Sequence, residues 1–388
     1  MFLIRRTTPD DIDVLFKLAK MVFFINLPAD KEIIGDKIRR SRQSFQAAAQ
    51  GTIPKFAQGV DKSATALSPV YMFSIVDTST GNCYGTSSVI GEMGSEANPN
   101  ISLKLEREEF FSKDLQSGTT QVTAQLMLDT SGPSEIGGLI VGPSSRRHPQ
   151  KLGKQLSLIR FHYIGLYRKL FADMLLAEMM APIAPDGGCA FWDAFPRRFI
   201  NLSYQEADRF CQHSREFMTS LLPREKVYLA LLSPEARASV GQVGADTVPA
   251  RRMLEGIGFK DTGRVDPFDG GPHLQAVTDE VEIVKNTGWR TFKGVCQANQ
   301  ADEVGFVSVA TEDGDFRAVY TTFKRTEKSI LLPRKSADAL RAEEGWKLGV
   351  TPLDLGIKGV SPKGATAGRT AKKPAKKKSK KKTTKKNA

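Results

Sequence analysis

An α+β fold is what the sequence predicts: a mixed, mostly antiparallel sheet flanked by helices, followed by a small β-rich domain and a lysine-rich disordered tail. Three observations carry this. Apolar residues alternate in short runs bounded by turn residues over the first 140 positions, as strands do. One long stretch after a basic turn carries apolar residues at three- and four-residue steps, as a helix does. After about residue 300 the short alternating runs return, and beyond residue 356 apolar residues all but vanish. A chain of 388 residues with 40% hydrophobic and 26% charged residues is an ordinary globular composition, long enough for two or three folded units.

The elements follow in order. Met1 to Arg5 alternates as a strand, and Thr8-Pro9-Asp10-Asp11 opens a helix carrying Ile12, Leu15, Phe16 and Leu18. A second helix is expected from Asp30 to Ala49, after the turn Asn26-Leu27-Pro28-Ala29-Asp30. Tyr71 to Val76 and Cys83 to Ile90 flank a turn and read as a hairpin. Glu135 to Val141 is a strand whose Gly137-Gly138 pair suits a β-bulge. From Leu152 to Met174 the periodicity predicts one long amphipathic helix. Val227 to Leu232 reads as a strand, and Thr247 to Glu255 as a helix turning back through Gly256-Ile257-Gly258-Phe259. Strands at Val304 to Ala310, Arg317 to Lys324 and Ile330 to Pro333 complete the β-rich end. The expected divisions are 1–285, 286–356 and 357–388.

The net charge of +13 is unevenly placed. From Gly356 onward there are one Arg and twelve Lys and no acidic residue, so residues 1 to 355 sum to zero. The body therefore carries no electrostatic footprint of a nucleic-acid or membrane surface. The run Lys372 to Lys382 resembles basic arms that neutralise phosphate backbones without reading sequence, so nonspecific contact with nucleic acid or another polyanion is one reading of the tail and a solvated tail the other. Cys83, Cys189, Cys211 and Cys296 show no spacing suited to zinc, and no metal is expected. The start has acidic residues at 10, 11 and 13 and no apolar core of a secretory signal, and no apolar run reaches the roughly 20 residues of a membrane span. A cytoplasmic protein is expected.

The feature richest in chemistry is a strand, then Arg146-Arg147-His148-Pro149-Gln150-Lys151-Leu152-Gly153-Lys154, then the long helix. Helix N-terminal amides, a glycine that permits close approach and nearby cations suit a pyrophosphate, although a basic turn can equally be a solvated cap. Gln150-x-x-Gly153 matches the acyl-CoA loop Q/R-x-x-G-x-G/A of the GNAT acyltransferases, with Gln155 where that pattern takes a small residue.

From about residue 2 to 355 the chain resembles the arginine N-succinyltransferases, a GNAT family. The landmarks come in order: Leu27-Pro28-Ala29-Asp30, Tyr71-x-Phe73, Asp77-x-x-x-Gly81, Ser134-Glu135, Leu139, Pro143, Arg146, Gly153, Leu156-Ser157 and Arg160-Phe161. They continue with Ala177-Glu178-Met179, Phe191-Trp192, Glu206-Ala207-Asp208, Gly241-Gln242-Val243, Gly258-Phe259 and Val265-Asp266-x-Phe268-Asp269-Gly270-Gly271-Pro272. The resemblance implies a GNAT fold, possible oligomerisation and succinyl transfer from succinyl-CoA to the α-amino group of arginine, with no permanently bound cofactor. It places acyl-CoA contacts at Leu139, Arg146, Arg147, Gln150, Gly153 and Lys154, and acceptor contacts at Glu178, Asp208 and Asp269.

The family histidine after Gly-Gln-Val is here Gly244, and a second, in a His-Pro-Ile-Tyr segment, corresponds to Glu225-Lys226-Val227-Tyr228. With both imidazoles absent the catalytic base is unassigned. Glu225 as base with Tyr228 as acid is one candidate and His273, after the Asp269-Gly270-Gly271-Pro272 turn, another. A different amine acceptor, or loss of activity, is the alternative. His148 reads as a phosphate contact or a turn residue, His162 and His213 as helix residues, and Cys189 as a small residue packed on aromatics or a thioester carrier.

Overall fold

Residues 1–21, 27–56, 67–96, 98–211 and 214–360 are described by the computed structural model. Their strands are β1 (Phe2–Arg6), β2 (Val70–Asp77), β3 (Cys83–Ile90), β4 (Asn100–Ser112), β5 (Ser117–Asp129), β6 (Ser134–Val141), β7 (Met174–Glu178) and β8 (Val227–Tyr228). There follow β9 (Lys260–Val265), β10 (Pro272–Val277), β11 (Gly288–Cys296), β12 (Glu303–Ala310), β13 (Phe316–Arg325), β14 (Ser329–Pro333) and β15 (Lys347–Pro352). They join in the order β12-β15-β11-β14-β13-β1-β2-β3-β6-β7-β10-β9-β4-β5-β8. Every pairing is antiparallel except β6 with β7 and β11 with β14, so the architecture is α+β with a mixed, mostly antiparallel sheet.

The carboxy-terminal strands close on themselves, because β13 pairs with β12 and β14 while β15 and β11 link the other side. This ring does not stand apart: the first half of β13 also bonds β1, carrying the sheet into the amino-terminal strands. Ordered packing continues to Val360, with Ile357 fully buried, so the packed chain extends past the expected tail boundary at 357. Residues 361–388 and His213 lie outside the described residues.

Three helices hold the sheet. Helix α1 (Ile12–Ala19) covers β3, and α2 (Lys31–Ala49) begins where Asp30, read from the sequence as the first helical residue, instead caps the helix by accepting from the amides of Glu32 and Ile33. Helix α3 (Leu152–Leu166) is buried almost all round, eleven of its fifteen residues being inaccessible. Phe45 of α2, Tyr71 and Phe73 of β2, Tyr163 of α3 and Phe316 of β13 interlock with ring centroids 5.0 to 5.9 Å apart.

Several expected boundaries move. The periodicity through Met174 overshoots the helix, which ends at Leu166, and Met174 begins β7. Arg168 ends the helical stretch by bonding Phe171 O, Asp173 and Asp279. Only Val227–Tyr228 of the expected strand to Leu232 is extended, and Leu229–Leu231 turns. The longest hairpin, β4–β5, escaped the sequence reading because its outer half is charged and exposed and shows no apolar alternation.

His162, fully buried in α3, fastens the carboxy-terminal ring: Nδ1 pairs with Thr351 Oγ1 at 2.6 Å and Nε2 with Ser308 Oγ at 2.7 Å. Burial pushes its pKa down to about 3, so the ring is neutral in the fold. The unfolded chain takes up this proton near its ordinary value of about 6.5, so this stabilisation is lost as pH falls from there toward 3. Replacing His162 with Leu strands the Ser308 hydroxyl and should cost about 2 kcal/mol at pH 7. The variant's stability should also fall less steeply than the parent's between pH 6.5 and 4, by on the order of 3 kcal/mol, in denaturant titrations followed by circular dichroism.

Candidate active site

Two parallel strands that part company create the site. β6 and β7 pair only at Ser134 with Leu175 and Glu135 with Leu176. On β6 the cause is a bulge: its register with β3 shifts between Thr86 and Ser88, and Gly138 takes a left-handed φ of 59°. A Cβ there would lie 2.6 Å from Ser88 Oγ, so the Gly137-Gly138 pair does what its position suggested. β7 is drawn the other way. Met179 N–H donates to Pro272 O, Ala181 N–H to Asp269 Oδ2, and Gly244 N–H to Met180 O. A wedge opens between the strands, with backbone groups along both sides.

The basic loop lies on the β6 side. Leu139 is half-buried on the bulged strand, while Arg146, Arg147 and Lys154 are exposed. Lys151, with φ 52°, turns the chain into α3, so the first-turn amides of Leu152, Gly153 and Lys154 precede the first intrahelical bond, Gln155 N–H to Lys151 O. Gln155 is buried and its Nε2 donates to Gln150 O at 2.7 Å, closing the loop from within; the departure from the small-residue pattern is thus a loop clasp. Arg146 bridges to Asp246 at 2.6 Å, linking this loop to the segment after Gly244. Lys151 Nζ donates to Leu355 O, which brings the end of the packed chain beside the helix start.

On β7 and β10, Leu175, Ala177, Leu274 and Ala276 pack in the core with α3, and alternation turns Glu178 and His273 to the opposite face. These two stand directly opposite each other, with His273 Nε2 3.9 Å from Glu178 Oε1. Asp266, Arg215, Ile101, Pro267 and Phe268 complete a pocket with Glu178. Burial raises the pKa of Glu178 and of Asp266, the latter further opposed by the Glu178 charge. Asp208 is pushed up to about 6 by burial, against the pull of Arg215. Asp269 is pushed up to about 8 by burial and by Asp266, although its carboxylate accepts from Ala181 N–H and Gly271 N–H. Burial lowers His273 to about 4, keeping the ring neutral. Glu178 and Asp266 outnumber Arg215 among the residues that line the pocket, so it favours a cation.

The structure thus gathers Glu178, Asp208, Asp269 and His273 around Asp266 and Arg215. Asp266 stood in a quoted motif without being singled out. Arg215 carried no sequence signal, since it comes from a loop remote in the chain. Glu225 and Tyr228 are not in this group. Glu225 is exposed, and Tyr228 donates to Glu108 on the outer hairpin. Tyr228 pairs with Thr123 whereas the pocket's Ile101 pairs with Leu128, five residues or roughly 16 Å further along the hairpin. Gly244 does lie beside the site, its Cβ position 3.1 Å from Ala181 O. His148 is a turn residue, its Nδ1 accepting from Gln150 N–H and its ring 4.9 Å from Phe2. Cys189 is buried among aromatics, and burial pushes its thiol up to about 12, so it packs as a neutral thiol. No helix among the described residues is long and apolar enough to cross a membrane.

The architecture is shared with a solved structure of arginine/ornithine succinyltransferase subunit AI from Pseudomonas aeruginosa, with a TM-score of 0.73 and 24% identity over 90% of this chain and 98% of that one. The fold is therefore that of a succinyltransferase subunit. The family model described as arginine N-succinyltransferase beta subunit matches residues 2–283, and the chain belongs to that family. Its relatives include the arginine N-succinyltransferase of Enterobacter sp. (strain 638), 30% identical over 350 residues that span 89% of this chain and 96% of that protein. The enzyme of the same name from Citrobacter koseri is 28% identical over 357 residues, covering 91% of this chain and 98% of its own.

The turn that delivers Asp266 and Asp269 depends on Gly271, where a Cβ would fall 1.9 Å from Met179 O and 2.9 Å from Asp269 Oδ1. Gly271→Ala must therefore displace the turn or the end of β7. The expected result is loss of acceptor binding in calorimetry with the circular dichroism spectrum of the sheet retained.

Proposed function

We propose that this chain transfers a succinyl group from succinyl-CoA to the α-amino group of arginine. The observation that carries the proposal is the wedge between β6 and β7, with a basic helix entry on one side and a buried acidic pocket on the other. That arrangement is consistent with the GNAT reading of the sequence. The cosubstrate's diphosphate would lie on the first-turn amides of α3 with Arg146, Arg147, Gln150, Gly153 and Lys154, and its pantetheine along Leu139. Freeing Arg146 from Asp246 is then part of cosubstrate entry. Glu178, Asp208, Asp266 and Asp269 would hold the cationic acceptor through charge-assisted hydrogen bonds.

A thioester is already activated, so the protein's work is to align a neutral amine with the carbonyl carbon. The C–N bond forms, the C–S bond breaks, the sulfur leaves as thiolate, and the amine's surplus proton must go to a nearby base. In place of the side chain missing at Gly244, His273 fills that role from β10: its ring is neutral, its Nε2 is free, and Glu178 and Asp266 stabilise the charge it acquires. The exposed amide groups of the parted strands suit the transient oxyanion. The lysine-rich segment from Ser361 is a separate device, a tether for nucleic acid or another polyanion. Deleting 361–388 should leave turnover unchanged and abolish salt-sensitive retention on DNA.

Release of free thiol from succinyl-CoA on adding arginine, with acetyl-CoA and ornithine as parallel trials, tests the reaction; folded protein that releases none with any pair would refute it. His273→Gln should lower kcat on the order of a hundredfold with the KM for acyl-CoA unchanged. The KM for arginine should fall as pH rises from about 6 to about 8, because Asp208 and Asp269 ionise across that interval while the acceptor's guanidinium stays charged.

A further inference from the structure

The acidic pocket also has the donor set of a metal site. One carboxylate oxygen each from Glu178 and Asp266 and an imidazole nitrogen of His273 lie within 4.8 Å of one another. They come from the end of β7, the turn before β10 and the start of β10, so three backbone segments fix their directions. Asp266 Oδ1 accepts from Phe268 N–H at 2.6 Å, which orients the carboxylate and leaves Oδ2 available. Independently, His273 is only 2% exposed and its Nε2 has no hydrogen-bond partner, although it faces the two carboxylates. A buried ring nitrogen left without a partner calls for an occupant.

We propose that Glu178, Asp266 and His273 bind a divalent first-row metal ion of the Mn2+ or Zn2+ class on the floor of the pocket, and that this ion and the cationic acceptor exclude one another. Two carboxylates and one imidazole suit such ions, and shifts on the order of 1 Å would bring the three donors to the usual ligand distances of about 2.0–2.2 Å. The ion's charge offsets the excess of Glu178 and Asp266 over Arg215 among the residues that line the pocket. Arg215, lining the same pocket, opposes a second cation and makes the ion exchangeable. Mutual exclusion rests on the acceptor assignment made above; metal binding itself does not.

The test is a titration of the full chain with Mn2+, free ion being read by electron paramagnetic resonance in the absence of substrates. Mn2+ is chosen because thiols compete for it poorly. One saturable site is expected, displaced by Zn2+, released by arginine, and weakened at least about tenfold in His273→Ala and in Glu178→Gln. His273→Gln replaces any variant that loses the parental circular dichroism spectrum. Absence of saturable uptake, or uptake unaltered in folded variants, overturns the site. Uptake that arginine does not reverse overturns the exclusion. Because binding is read without turnover, a metal site in a protein that releases no thiol would sink the acyltransferase reading alone, and turnover without metal uptake would sink only this one.

Discussion

The parting of β6 and β7 after two paired residues is the constraint on which the rest of the molecule depends. Parallel neighbours normally continue their ladder, and each unmade rung leaves amide and carbonyl groups in want of partners. Here the cost is met by substitutions on both sides. Gly138 rotates β6 through a bulge against β3, and the backbone beyond Glu178 exchanges hydrogen bonds with the 266–271 turn and with Gly244. The opening is thus a structure held apart by other contacts.

Helix α3 makes that opening rigid. As the crossover between the two strands it must pack on the sheet, and being buried nearly all round it is gripped by the carboxy-terminal ring as well. His162 and the Phe45–Tyr163–Phe316 cluster transmit that grip, so the start of α3 and the basic loop before it are positioned from both halves of the sheet. A ring of strands far from the pocket in sheet order therefore bears on the placement of the basic loop.

On the other face, electrostatics dominates. Glu178, Asp208, Asp266 and Asp269 are withdrawn from water near Arg215, and burial pushes all four carboxyls up. With Glu178 and Asp266 facing Arg215, the lining of this pocket favours a positively charged occupant.

Much was legible without the structure. The start of α2 near Asp30, the Gly137-Gly138 bulge, the hairpin at Asp77 to Cys83 and the ordered landmarks are short-range patterns, and short-range patterns survive in a linear string because neighbouring residues create them. The charge-neutral body is likewise a property of composition alone. Where α3 stops depended on Arg168 reaching Asp279, and the fate of Glu225 and Tyr228 depended on β8 pairing with the outer hairpin, both contacts between distant segments. Glu178, Asp208 and Asp269 could be picked out singly from the sequence. That Asp208, Asp269 and His273 lie close to the pocket lined by Glu178, Asp266 and Arg215 was decided by tertiary structure, because only the strand register and the crossing of remote loops bring charges separated by tens of residues into a common, water-poor space.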